Sequence, residues 1–203
     1  MAATTGLQAE DDAILTLLRL SLTYALLLTF TLLCAPVNAT AQGGETWLLV
    51  DTEHRTLAVM QGDRVRRSYD NISIGRGGTT PDKRMNDEKT PLGEFRIARI
   101  ERDSPFHLFL GFDYPSLEQA GRALAAGDIS GQQFLKIRNA LRSEKIPPQQ
   151  TALGGFIGIH GVGAGDPGIH ERFNWTSGCI ALTNAQMDDL AARVRLGMRV
   201  VVR

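Results

Sequence analysis

Two residues open the chemistry of this chain. Cys179 follows a glycine in Asn174-Trp175-Thr176-Ser177-Gly178-Cys179-Ile180-Ala181-Leu182-Thr183-Asn184, and His160 ends the apolar run Phe156-Ile157-Gly158-Ile159. A thiol attacks as its thiolate, and an imidazole is the usual acceptor for its proton. If 156–159 and 180–182 are neighbouring strands, both side chains lie at one end of one sheet. A nucleophile of this kind also needs something to orient its base and donors for a developing oxyanion. The Gly161 carbonyl can hold the His160 tautomer. The backbone N–H groups of Ser177, Gly178 and Cys179 sit in a tight turn, which Gly178 opens to close approach. A thiol activated this way is expected to alkylate faster than a model thiol near neutral pH. The bland alternative is a core cysteine on one strand and a core histidine on another.

A metal reading competes with the nucleophile. His160, Asp166, His170 and Cys179 could supply four ligands, but their spacing matches none of the common zinc patterns, and two of them lie in a glycine-rich loop. No metal is expected. His170 reads as a loop histidine able to touch substrate.

The elements that must position the pair are mostly strands. Trp47–Asp51, Thr56–Met60 and Val65–Ile74 are short apolar runs separated by polar turns, a meander that argues for a sandwich or barrel over βαβ units. His54 falls in the first turn as a solvated residue. Gly75–Pro81 is a glycine-rich loop without a P-loop lysine or a βαβ context, so it carries no nucleotide reading. Thr90-Pro91-Leu92-Gly93-Glu94 turns into a strand over Phe95–Ile100. From 104 to 150 the pattern changes. Phe106–Leu110 reads as a strand with His107 packed or edge-facing, and two short helices, broken at 127–131, follow as an insertion of the kind that walls or covers a site. Gly154–Ile159 is then a strand ending in His160. The fifteen residues 161–175, with four glycines and Pro167, make a long loop. Ile180–Leu182 is a strand, Thr183 with Gln186 forms a capping box for a helix, Gly197 ends that helix, and Met198–Val202 closes the domain.

Composition narrows the setting. The 203 residues are 43% hydrophobic and 22% charged, enough for one core with a soluble surface. Lys and Arg number 22, as do Asp and Glu, and no basic motif is present, which removes the electrostatic case for nucleic acid. Leu20–Ala35 contains no charge, follows Arg19, and precedes Ala39-Thr40-Ala41. This predicts a signal peptide over residues 1–41, cleaved after Ala41 or Ala39. Its leader is acidic at Glu10, Asp11 and Asp12, so an uncleaved membrane anchor competes, and a lipoprotein at Cys34 is a weaker third reading because Leu33 stands where a small residue is expected. All predict export. Cleavage leaves a net charge of +2 and Cys179 as the only cysteine, which excludes an internal disulfide and leaves a thiol that is either buried or used.

At these residues a resemblance becomes specific. His160-Gly161, a gap, and Thr176-Ser177-Gly178-Cys179-Ile180-x-Leu182-x-Asn184 resemble the YkuD-type L,D-transpeptidase catalytic domain, whose signature is a histidine followed at about this spacing by Ser/Thr-His-Gly-Cys. Trp47–Asp51, Ser73-Ile74-Gly75 and Thr90–Phe95 fall in the family's order, and the likeness covers 46–202. Trp175-Thr176-x-Gly178-Cys179-Ile180-Ala181 is similar to the YafK-like branch. The resemblance implies a mostly β (α+β) sandwich- or barrel-like domain with inserted short helices. It implies that Cys179 attacks the bond between the third and fourth residues of a peptidoglycan stem, that His160 serves as base and then acid, and that an amine of another stem or of a lipoprotein resolves the thioester. Water in that role would give a carboxypeptidase or amidase. No cofactor is implied, the setting would be the periplasm, and a membrane would be a partner only through an uncleaved N-terminus. Trp175, Thr176, His170 and Asn184 are the candidate substrate contacts. Two positions depart from the pattern. Ser177 replaces a histidine, and Ala181 replaces an arginine suited to gripping a carboxylate. A non-catalytic wall-binding module is the more distant alternative.

Overall fold

The computed structural model describes residues 44–203. Ten strands and four helices follow in order: β1 (Thr46–Asp51), β2 (Thr56–Gln61), β3 (Arg64–Asp70), β4 (Thr79–Thr80), β5 (Thr90–Pro91), β6 (Gly93–Ser104), β7 (His107–Phe112), α1 (Leu117–Ala125), α2 (Gly131–Arg142), β8 (Gly158–His160), α3 (Pro167–Arg172), β9 (Ile180–Ala181), α4 (Asn184–Ala191) and β10 (Arg199–Val202). Alternation drives the central strands inward on one face: Leu48 and Val50, Leu57 and Val59, Phe95 and Ile97, Val200 and Val202 are all buried.

Eight strands form one mixed sheet in the order β3-β2-β1-β10-β6-β7-β8-β9. The closing strand β10 sits in the middle, parallel to β1 and antiparallel to β6. The two strands that carry the chemistry are neighbours: β8 and β9 run parallel, with Ile159 opposite Ile180 and His160 opposite Ala181. The sheet also bends back on itself. After β3 the chain turns at Asn71 (φ 59°), and Ser73 exchanges both backbone hydrogen bonds with Ala181, at 2.9 and 2.8 Å. The first hairpin thereby meets the last strand of the sheet, a barrel-like closure of a mostly β domain.

Several boundaries differ from the sequence pattern. β3 stops at Asp70, because the segment 72–75 leaves the hairpin to pair with β9 and Thr176. β6 runs on to Ser104, and the strand after it spans His107–Phe112. The strand expected from Gly154 begins only at Gly158, since Gly154 (φ 74°) and Phe156 (φ 56°) both take left-handed conformations that a ladder cannot hold. The expected loop after His160 contains α3, started by Pro167 behind the Asp166 cap. His107 is exposed at φ 74° and lies 2.7 Å from Asp188.

The helices start where capping chemistry directs. Ser116 with Gln119, Ser130 with Gln133, and Thr183 with Gln186 each form a complete capping box. Ala120 and Ile137 are fully buried in the core, so α1 and α2 are packed against it. Neither helix lines the cleft described below. The wall that the 104–150 segment supplies is its first turn, Ser104-Pro105-Phe106, with Phe109 of β7.

Ile159 is fully buried on β8, one residue before His160. Its truncation to alanine should cost about 2–5 kcal/mol in denaturant unfolding, the range for an aliphatic cavity in a closed core. A loss below about 0.5 kcal/mol would mean that β8 is not the packed strand described here.

Candidate active site

β8 delivers His160 and the turn before β9 delivers Cys179, and both line one cleft of about 350 Å³. His160 is buried between rings. Phe106 lies 4.5 Å from its centroid, Trp175 meets it edge-on at 5.6 Å, and Phe109 stands 6.5 Å away. Its Nδ1 is 2.7 Å from the Gly161 carbonyl. A carbonyl only accepts, so Nδ1 carries the proton, and Nε2 is left as the basic nitrogen. Burial holds the imidazole below its usual pKa, opposed by the Gly161 bond and helped by His170. His160 is therefore neutral at neutral pH.

The nucleophile turn is built by Thr176. Its hydroxyl donates to the Cys179 carbonyl at 2.7 Å and accepts the Gly178 N–H at 3.1 Å. Thr176 is buried and fixes the turn from within, and it also lines the cleft. Because Thr176 takes the Gly178 N–H, the oxyanion donors reduce to Ser177 and Cys179, whose amides meet no acceptor among the described residues. Gly178 itself stands at φ 132°, and a Cβ there would lie 2.7 Å from the Lys89 carbonyl and 3.0 Å from Lys83 Nζ. Only glycine fits this site.

Lys83 was silent in the sequence. It is buried beneath the turn, paired to Asp87 at 2.6 Å, with its ammonium 3.5 Å from the Ser177 carbonyl. Burial alone would push the Asp87 carboxyl up, but Lys83 and the N–H groups of Arg84 and Lys89 bring it below the usual carboxylate value. Phe156 was missed too. The Cys179 thiol donates to its carbonyl at 3.3 Å, while the Phe156 N–H is held by Gln149 at 2.7 Å. A non-glycine residue at φ 56° is uncommon enough to have served as a signal only once the backbone was known.

The burial of the sulfur acts against the fast alkylation near neutral pH that the sequence predicts. Cys179 is half-buried as a residue and reaches the cleft, yet the protein packed around its sulfur outweighs that access. Burial pushes the thiol up to about 11, opposed by the Gly158 N–H and by Lys83. Thiol and imidazole are then both uncharged at neutral pH.

The other expected contacts divide. Trp175 lines the cleft. His170 does not: it is buried on α3, and its Nδ1 accepts the Trp175 indole N–H at 3.2 Å, so it positions Trp175 from behind. Asn184 also turns away from the cleft. Its amide bonds both backbone groups of Gly163, at 2.9 and 2.8 Å, and pins the loop that follows His160. Among the described residues no three His, Cys, Asp or Glu side chains gather to hold a metal ion.

A buried histidine with its tautomer fixed by a carbonyl thus shares a cleft with a half-buried cysteine on a braced glycine turn. Residues 45–202 match the YkuD family, described as the L,D-transpeptidase catalytic domain, and the chain belongs to that family. Among solved structures it is similar to Bd1075 of Bdellovibrio bacteriovorus, at 18% identity and TM-score 0.50, over 81% of this chain and 50% of that one. It is also similar to a mutant form of the helical cell shape determining protein Pgp2 of Campylobacter jejuni, at 20% identity and TM-score 0.51, over 78% of this chain and 47% of that one. The chain thus spans about half the length of these structures, and the likeness is one of fold. No curated protein matches the sequence.

Iodoacetamide alkylation of Cys179 should rise with pH toward a midpoint near 11. A midpoint below about 7 would instead mean a resting thiolate–imidazolium pair. Lys83→Met should move that midpoint higher and lower stability by about 1–2 kcal/mol, because it removes a charged hydrogen bond from the part-buried Asp87.

Proposed function

We propose that this chain is an exported cysteine acyltransferase that acts on peptidoglycan stem peptides. The observation that carries the reading is the His160 Nδ1–Gly161 bond of 2.7 Å, which leaves Nε2 as the free ring nitrogen of the imidazole that shares a cleft with Cys179. As Cys179 Sγ attacks the carbonyl between the third and fourth residues of a stem, Nε2 takes the thiol proton. The Ser177 and Cys179 amides receive the oxyanion. Collapse breaks the C–N bond, the imidazolium returns its proton to the departing amine, and D-alanine leaves. An amine of a second stem, or of a lipoprotein lysine, then attacks the thioester; Nε2 accepts its proton, the C–S bond breaks, and the imidazolium returns that proton to Cys179 Sγ.

Water as the acceptor is the second reading, a carboxypeptidase or amidase. Ala181 keeps it in view: the position is fully buried and paired to Ser73, so β9 offers no cation there to grip the carboxylate of a donor peptide. The uncharged Leu20–Ala35 run supports export to the periplasm, with 46–202 as the catalytic domain.

The test is mass spectrometry of tetrapeptide muropeptides incubated with the full chain, with and without a diaminopimelate-type amine. A cross-linked product is expected, and Cys179→Ala should abolish it. Tripeptide alone would assign the hydrolase. A product that survives Cys179→Ala would overturn the mechanism. His160→Gln should lower kcat/KM by about 10²–10⁴-fold. In the wild type, kcat/KM should fall with acid through a pKa below 6.5, since burial depresses His160 and only its neutral form is a base. It should stay level on the alkaline side until the thiol ionises near 11.

A further inference from the structure

The cleft around Cys179 is walled mainly by rings, and Arg99 is the one permanent cation among the described residues that line it. Arg99 lies on β6 opposite Gly111 of β7. A Cβ at position 111 would come within 3.1 Å of the Arg99 Nε and 2.8 Å of a Phe109 ring carbon. The glycine therefore leaves the space along which the arginine stem lies.

Two aromatic faces then fix the guanidinium. Its carbon stands 5.1 Å from the Phe109 centroid and 5.7 Å from that of Phe156. Stacking of this kind restrains an arginine and leaves its outer N–H groups available for a planar partner. Phe156 contributes from a left-handed backbone with a ring 51% exposed, an arrangement that folding alone does not reward. Glu101 Oε1 lies 3.0 Å from Nε, but the buried Nε–H is not aimed at it and makes no hydrogen bond. The contact is one of charge, from a glutamate that is itself part-exposed on the cleft wall. Lys83 cannot serve instead, because Asp87 and the Ser177 carbonyl occupy its ammonium beneath the turn.

We propose that Arg99, clamped between Phe109 and Phe156, binds a carboxylate of the donor stem peptide and so sets substrate specificity at this site. This rests on the acyl-transfer reading above. It also answers the substitution at Ala181: the cation that grips the donor enters from β6 instead of from β9. A donor stem with lysine at its third position, the form used in the test below, offers two such groups, the terminal carboxylate of the fourth residue and the internal α-carboxylate of the second; a diaminopimelate there would add a third at its far end. Either would displace Glu101 from the guanidinium and meet it in a fork.

The experiment measures kcat and KM of the full chain on three synthetic tetrapeptide donors with lysine at the third position: unmodified, amidated at the C-terminus, and amidated at the internal carboxylate. One amidated donor should show a KM raised on the order of ten- to a hundredfold, with kcat changed by less than about threefold. Arg99→Met should impose the same rise on the unmodified donor and add nothing on that amidated one, which identifies the carboxylate. Arg99→Lys should recover part of the loss. Equal KM values for all three donors on the wild type would overturn the proposal, even if Arg99→Met fails to fold. A uniform loss across all three in Arg99→Met would overturn it as well. A wild-type chain that processes none of them overturns the acyl-transfer reading, and this inference falls with it.

Discussion

The site depends on one hydrogen bond. With Nδ1 of His160 donating to the Gly161 carbonyl at 2.7 Å, the imidazole has a single free nitrogen, and its ring cannot turn without breaking a bond in a nearly dry setting. A backbone carbonyl does the work that a carboxylate does in many catalytic triads. It orients the base without placing a full negative charge beside it, so burial is free to keep the imidazole neutral. The same burial keeps the thiol protonated. Cys179 and His160 are thus both held in uncharged form.

The rest of the fold holds that arrangement in place. Parallel pairing of β8 with β9 sets His160 opposite Ala181, two residues after Cys179. Closure through Ser73 ties β9 to the first hairpin, and the Gly75–Thr176 bridge extends that tie to the base of the nucleophile turn. Around the turn, Thr176 braces from within, Lys83 supports from below, and the Phe156 carbonyl receives the thiol. Asn184 restrains the loop after His160, and His170 sets Trp175 against the imidazole. His170 and Asn184 stand outside the cleft lining, where His170 holds the Trp175 indole and Asn184 the Gly163 backbone.

Local signals were legible in the sequence. Cys179 and His160, the Gly161 carbonyl, the short strands, the two helices and the Thr183 capping box all follow from spacing and turn chemistry within a few residues. What was not legible depends on distant chain. Lys83 lies 94 residues from Ser177, and nothing around it separates a buried ammonium from a surface one. Arg99 reads as an ordinary strand charge until Gly111 and two phenylalanines are known to surround it. The left-handed Phe156 reads as one more strand residue, and its displacement from the ladder is what shortens β8 and frees its carbonyl for the thiol. α3 was hidden by its glycines, although Asp166-Pro167 is a good start signal at short range.

The most direct measurement is intact-mass and peptide mapping of the full chain quenched with acid during turnover of a tetrapeptide stem. The account predicts a tripeptidyl adduct on the Cys179 peptide, bound as a thioester that hydroxylamine removes. Turnover with no adduct on Cys179, even in rapidly quenched samples with a slow acceptor, would contradict it.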